Sequence, residues 1–242
     1  MNIPKSLRTR KPLHIGIVGC SAEGAALCYR TICTEGAALL GPHAHPEVSM
    51  HTPSLSEYVA CLERNDIEGV GRLMLDSAQK LARVGADFLV CPDNTIHQAF
   101  DLVQDASPLP WLHIAKVVAI EAAARGYRRV GLLGTQWLVE SGVYPQKLEG
   151  RGLHWVRPGP DDRQRVGRII MDELVYGVLK PESTNGLLAV IRRLAEAGCD
   201  SVALACTELP LVIDERNSAL PTLDSTRLLA RAALRKATGA DT

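Results

Sequence analysis

The chain repeats itself, and this repetition restricts its fold more than any other feature of the sequence. "HIGIVGC" (14–20) resembles "RVGLLGT" (129–135), and each opens a run of alternating strands and helices. "ARVGADFLVCPDNT" (82–95) resembles "AEAGCDSVALACTEL" (195–209), where a helix ends at glycine, an aspartate follows and an apolar strand begins. Strands that are apolar throughout, set between helical periods, predict parallel sheets covered by helices on both faces. The expected fold class is therefore α/β, built as two pseudo-symmetric lobes at 13–115 and 116–235, with the last helix free to cross to the first lobe.

Strands are expected at 13–20, 47–51, 87–92, 110–114, 129–135, 152–158 and 200–206. Helices are expected at 22–33, 71–86, 98–104, 116–126, 165–179, 184–198 and 225–237, while 52–69 reads as proline-rich turns and a polar stretch. With 242 residues, 46% of them apolar, a substantial core can be buried. Acids and bases balance at 27 each, so the chain carries no electrostatic footprint for nucleic acid or an anionic membrane. The basic clusters "RTRK" (8–11) and "RGYRR" (125–129) read as solvated faces.

No run approaches the ~20 apolar residues of a membrane span, and the basic leader "MNIPKSLRTRKP" lacks an apolar signal core. A cytoplasmic location is the expectation. Seven cysteines (20, 28, 33, 61, 91, 199, 206) without C-x-x-C spacing read as reduced thiols. His43, His45 and His51 lack the spacing of a zinc site, so neither metal nor cofactor is expected.

Ligands of open parallel sheets gather beyond the carboxyl ends of strands, which is where the second repeat places its two tips. Asp87 and Asp200 both begin strands and lie 113 residues apart, an offset that pairs Asp93 with Cys206. Ile15 and Val130 lie 115 apart, which would pair Cys91 with Cys206 instead. The nearer anchor is preferred, because loops absorb insertions and short buried strands do not. A carboxylate and a thiol facing each other across a cleft can take a proton from one side of a carbon acid and return one to the other. Asn94, Thr95 and Thr207 would supply neutral donors for a bound carboxylate. Two plainer roles stand beside this one: "DNT" before "IHQAFDLV" suits Asp93 as a helix cap, and Cys206 suits a buried core position.

Taken together, "IGIVG", "PDNTIH", "VGLLGT" and "ACTELP" resemble the cofactor-independent aspartate/glutamate racemase superfamily over about residues 13–235. The resemblance implies two α/β lobes enclosing a small carboxylate or amino-acid substrate, and a homodimer. It also implies two cysteines, in C-N-T-x-H and G-C-T-E motifs, acting as opposed acid and base. Asp93 stands where the first cysteine belongs, and Ala205 replaces the glycine of the second motif. Cys206, Thr207 and Glu208 match the second motif, and Asn94, Thr95 and His97 the remainder of the first.

Carried over in this way, Asp93 and Cys206 are the catalytic candidates, and Asn94, Thr95, Thr135, Thr207, Ser21 and Thr52 the substrate contacts. His97 is expected to orient a loop. The arginine that acid-specific members carry near "TPSLSEY" is missing, which leaves a second substrate carboxylate without a partner. The expected function is amino-acid racemisation at Cα. The alternatives are a maleate isomerase or arylmalonate-decarboxylase-like enzyme using one cysteine, or a ligand-binding member without turnover.

Overall fold

A computed structural model describes residues 11–240, so all but the end of the basic leader lies outside the described residues. The strands are β1 Ile15–Val18, β2 Val48–His51, β3 Phe88–Val90, β4 Trp111–Leu112, β5 Arg129–Gly134, β6 His154–Val156, β7 Ser201–Ala205 and β8 Thr222–Asp224. The first five α-helices are α1 Ala22–Leu40, α2 Leu55–Glu63, α3 Ile67–Arg83, α4 Phe100–Gln104 and α5 Ile114–Ala124. The remaining five are α6 Gln136–Val139, α7 Pro145–Glu149, α8 Pro160–Asp172, α9 Pro181–Glu196 and α10 Ser225–Thr238.

Two four-stranded sheets result, ordered β2-β1-β3-β4 and β6-β5-β7-β8, with every pairing parallel. The α/β class and its pseudo-symmetry are thus present in the strand order itself. Equivalent contacts brace the two halves. The Asp87 carboxylate accepts the His14 N–H at 2.7 Å, and the Asp200 carboxylate accepts the Arg128 and Arg129 N–H groups at 2.6 and 3.2 Å. Gly85 and Gly198, which end α3 and α9, have φ of 89° and 84°, a region that favours glycine.

The register decides between the two sequence offsets. Ile15 pairs with Phe88, and Val130 pairs with Ser201. The first strands are therefore offset by 115 residues and the second by 113, the loops between them absorbing the difference. Followed outward along β3 and β7, Asp93 corresponds to Cys206 and Cys91 to Leu204.

Several elements depart from expectation. The stretch read as turns and polar chain contains α2, entered through a Ser54–Glu57 capping box. The helix expected at 165–179 instead begins at Pro160, whose ring suits a first helical turn, and stops at Asp172. A 3₁₀ turn, Leu174–Tyr176, follows and ends at Gly177 with φ 71°. Strand β8 was not foreseen, being three residues long.

Helix α10 returns to the N-terminal half and packs on α1 and α5. Its Leu228, Leu229 and Ala233 share one continuous core with Ile15 and Ile17 of β1 and Val130 and Leu132 of β5. Each fully buried leucine contributes about 1.5–3 kcal/mol. The half-exposed Arg231–Glu35 pair (2.8 and 2.9 Å) between α10 and α1 contributes about 1 kcal/mol at most. Apolar burial, not the ion pair, holds α10 in place. Among the described residues no helix is long and apolar enough to cross a membrane, and the seven cysteines are free thiols.

Candidate active site

The carboxyl ends of β1, β3, β5 and β7 meet at a small cavity between the two sheets. Asp93, Asn94, Thr95, Cys206, Thr207, Ser21 and Thr135 all line it. Thr52 does not, and it is exposed. It follows β2 directly and packs over Gly19, where an added Cβ would fall 2.4 Å from the Thr52 hydroxyl oxygen. Cys91 is fully buried in the core under α3, and its thiol donates to the Asp93 carbonyl at 3.7 Å.

Asp93 is held at three points. One carboxylate oxygen accepts the N–H groups of Thr95 (3.0 Å) and Ile96 (3.4 Å), so it does cap the short 3₁₀ helix Thr95–Ala99. Its carbonyl accepts from His97 Nδ1 at 2.7 Å, and His97 Nε2 accepts the Ile114 N–H at 3.3 Å. Both ring nitrogens of His97 are therefore occupied. Burial pushes that imidazole down to about 4, and the neutral ring fixes the Asp93 loop to the start of α5. Capping leaves Asp93 in the cavity wall and half-buried. Burial, reinforced by the nearby Glu208 charge, pushes the Asp93 carboxyl up to about 6, against the opposing pull of the Ile96 and Thr95 N–H groups and the Cys20 thiol.

Cys206 stands at the other tip. Its thiol donates to Glu208 Oε2 at 3.0 Å, and the Thr207 hydroxyl donates to the same oxygen at 2.6 Å. Burial, then the Glu208 carboxylate, drive the Cys206 thiol well above its ordinary range. Near neutral pH the two tips therefore rest as a carboxylate and a protonated thiol, one base and one acid.

Hydroxyl pairs bind the two halves across the cavity. Ser21 accepts the Gly24 N–H at 3.2 Å as the N-cap of α1 and meets the Thr207 hydroxyl at 2.9 Å. Gly24 permits this approach, since a Cβ there would lie 2.4 Å from Thr207 Cγ2. Thr95 and Thr135 meet at 2.9 Å, and Thr135 also caps α6 by accepting the Leu138 N–H. The Asn94 amide is engaged on both sides: its oxygen accepts from the Tyr144 hydroxyl (2.7 Å) and its nitrogen donates to Ser225 Oγ (3.0 Å). Asn94 thus joins the halves as well as lining the cavity.

Two functional groups escaped the sequence reading. Cys20 is 4% exposed, lines the cavity and favours the charged form of Asp93. The repeat that singles out Thr135 aligns Cys20 with it, so the signal was available. Glu208 is 3% exposed and acts as the acceptor for Cys206, a role its place in the "CTE" run could have announced. His45 and His51 have separate partners, Pro46 O and Ser77 Oγ. Among the described residues no three His, Cys, Asp or Glu side chains group as metal ligands.

Fold and cavity together define a two-sheet α/β protein with a cavity between its halves lined by a carboxylate from one and a thiol from the other. A family profile described as Asp/Glu/Hydantoin racemase matches residues 15–233, and the chain belongs to that family. Among curated relatives, it is 27% identical to the broad specificity amino-acid racemase RacX of Bacillus subtilis strain 168 over 169 residues, 69% of this chain and 71% of RacX. It is 33% identical to a glutamate racemase of Thermus thermophilus over 169 residues, covering 67% of this chain and only 60% of that enzyme. The structure of an aspartate racemase homologue from Pyrococcus horikoshii OT3 superposes with a TM-score of 0.79 at 29% identity, covering 95% of this chain and 100% of that one.

Proposed function

We propose that this protein is an isomerase of the amino-acid racemase type, acting at Cα without a cofactor, with Asp93 and Cys206 as its two acid–base groups. One observation carries the reading: residues at corresponding strand tips, a carboxylate and a thiol, line a single cavity between the two sheets. The Asp93 carboxylate takes the Cα proton, and the electron pair left on carbon delocalises into the substrate carboxylate. The Cys206 thiol then delivers its proton to the opposite face. Thr95, Thr135, Thr207 and Ser21, with backbone N–H groups, hold the carboxylate as charge grows on it. For the other enantiomer the roles reverse. The same reading takes 13–115 and 116–235 as the two lobes and places the enzyme in the cytoplasm, in keeping with its free thiols.

RacX is described as acting broadly on amino acids, so the test is a panel. Each amino acid is incubated with enzyme in D2O, loss of the Cα–H signal is followed by NMR, and enantiomer composition by chiral chromatography. Deuterium enters Cα in at least one amino acid, and Asp93→Asn or Cys206→Ala lowers racemisation by about 10²–10⁴-fold. An intact Cα–H across the panel would overturn the reading. Maleate isomerisation and malonate decarboxylation require no such exchange.

A further inference from the structure

Beyond the acid–base groups, the cavity wall comes from three helices outside the sheets. Leu55, Val59 and Leu62 stand on one face of α2, at the i, i+4, i+7 spacing of a helical stripe. Ile170 and Met171 come from the end of α8, and Trp137 from α6. Among the described residues no Lys, Arg or His lines the cavity; its ionisable groups are Cys20, Tyr58, Asp93, Cys206 and Glu208. The charge balance is therefore one-sided, with two carboxylates and no resident cation.

An α-amino acid supplies one ammonium, which the two carboxylates favour, and one carboxylate, which the hydroxyls can hold. A second carboxylate on its side chain would lose its hydration against a largely hydrocarbon wall, beside two like charges and with no cation to pair with. Lysine would bring a cation to the same hydrocarbon wall. From this we infer that the side-chain subsite takes uncharged, apolar side chains, of the leucine, methionine and phenylalanine class, rather than those of aspartate or glutamate. An adjoining outer cleft, which shares Thr135, Trp137 and Met171 with the cavity, does hold an arginine, Arg168. Arg168 is exposed there beside Glu140 and Asp172, outside the apolar wall.

The inference rests on the racemase reading for turnover, though not for binding, and the experiment separates the two. Wild-type protein is assayed for Cα exchange with leucine, methionine, phenylalanine, aspartate, glutamate and lysine, and binding of leucine, phenylalanine and glutamate is measured by calorimetry. The apolar amino acids are expected to exceed the charged ones in kcat/KM by about tenfold or more. Arg168→Ala leaves that preference unchanged. Val59→Arg, or Met171→Arg should the first not fold, shifts it toward glutamate.

Charged amino acids turned over as well as apolar ones would overturn the inference, as would an activity on aspartate or glutamate that Arg168→Ala removes. If no amino acid exchanges, the racemase reading fails and calorimetry decides the subsite. Tighter binding of leucine or phenylalanine than of glutamate then sustains it. Equal or tighter glutamate binding, or no binding of either, ends it.

Discussion

At the end of β3 the N-terminal half presents a carboxylate with the Cys20 thiol beside it in the cavity wall, whereas at the end of β7 the C-terminal half presents a thiol bonded to the Glu208 carboxylate. The sheets that carry these tips share strand order and register. The same two functional groups have been arranged in opposite order on one backbone plan. A symmetric scaffold therefore does not impose symmetric chemistry: burial raises the proton affinity of both tips, but from very different starting points. Asp93 rises only to about 6 and remains a base at neutral pH, while Cys206 remains an acid.

The sharpest break in this comparison comes from removing one tip at a time. Cys206→Ala should leave Asp93 able to exchange the Cα proton of one enantiomer with retention, and Asp93→Asn should leave exchange only for the opposite enantiomer. Racemisation itself falls by about 10²–10⁴-fold in both. Deuterium wash-in followed separately from each pure enantiomer reads this directly, and loss of exchange from the same enantiomer in both variants would contradict two opposed tips.

A smaller effect follows from pH. On the proposed mechanism, proton abstraction by Asp93 requires its carboxylate, so that direction should slow about tenfold per pH unit below the value of about 6. Stability moves the other way. Between 3.8 and about 6 the folded chain binds the Asp93 proton more readily than the unfolded chain, so Asp93 costs stability as pH rises through that window. Asp93→Asn, which keeps a capping oxygen, should raise Tm relative to wild type at pH 7 and not at pH 4. An equal difference at both pH values would show that the carboxyl is not perturbed.

The smallest effect concerns Cys20. Its thiol favours the Asp93 carboxylate, so Cys20→Ala should move the acid limb of the pH–rate profile upward by under about one unit, and Cys20→Ser should restore it. A merely structural role for Cys20 would change the rate without moving the limb.

Much of this architecture is legible in the chain. The paired "helix-Gly-x-Asp-strand" units survive as α3–β3 and α9–β7, because a helix-ending glycine at positive φ is a local requirement and each aspartate occupies the same place beside the neighbouring strand, at His14 and at Arg128. The correspondence of Asp93 with Cys206 was legible for the same reason, once the nearer anchor was used. Helix α2 was obscured by Pro53 and flanking polar residues, although Ser54 and Glu57 announce its start. Thr52 fitted the pattern of a strand-tip contact and fell outside the cavity, because β2 lies at the edge of its sheet and its last side chain, His51, turns to Ser77.

By itself the sequence determined the repeated strand–helix plan, the parallel sheets and the identity of the two tip residues, since each depends on periodicity or on a short run of neighbours. Only the tertiary structure decided what those tips touch. The Ser21–Thr207 and Thr95–Thr135 contacts, the placing of Cys20 with Asp93 in one cavity wall and the apolar wall from α2 and α8 join residues distant in the chain. Proton affinity and substrate fit come from burial and from through-space charge, which depend on how the two halves close on one another.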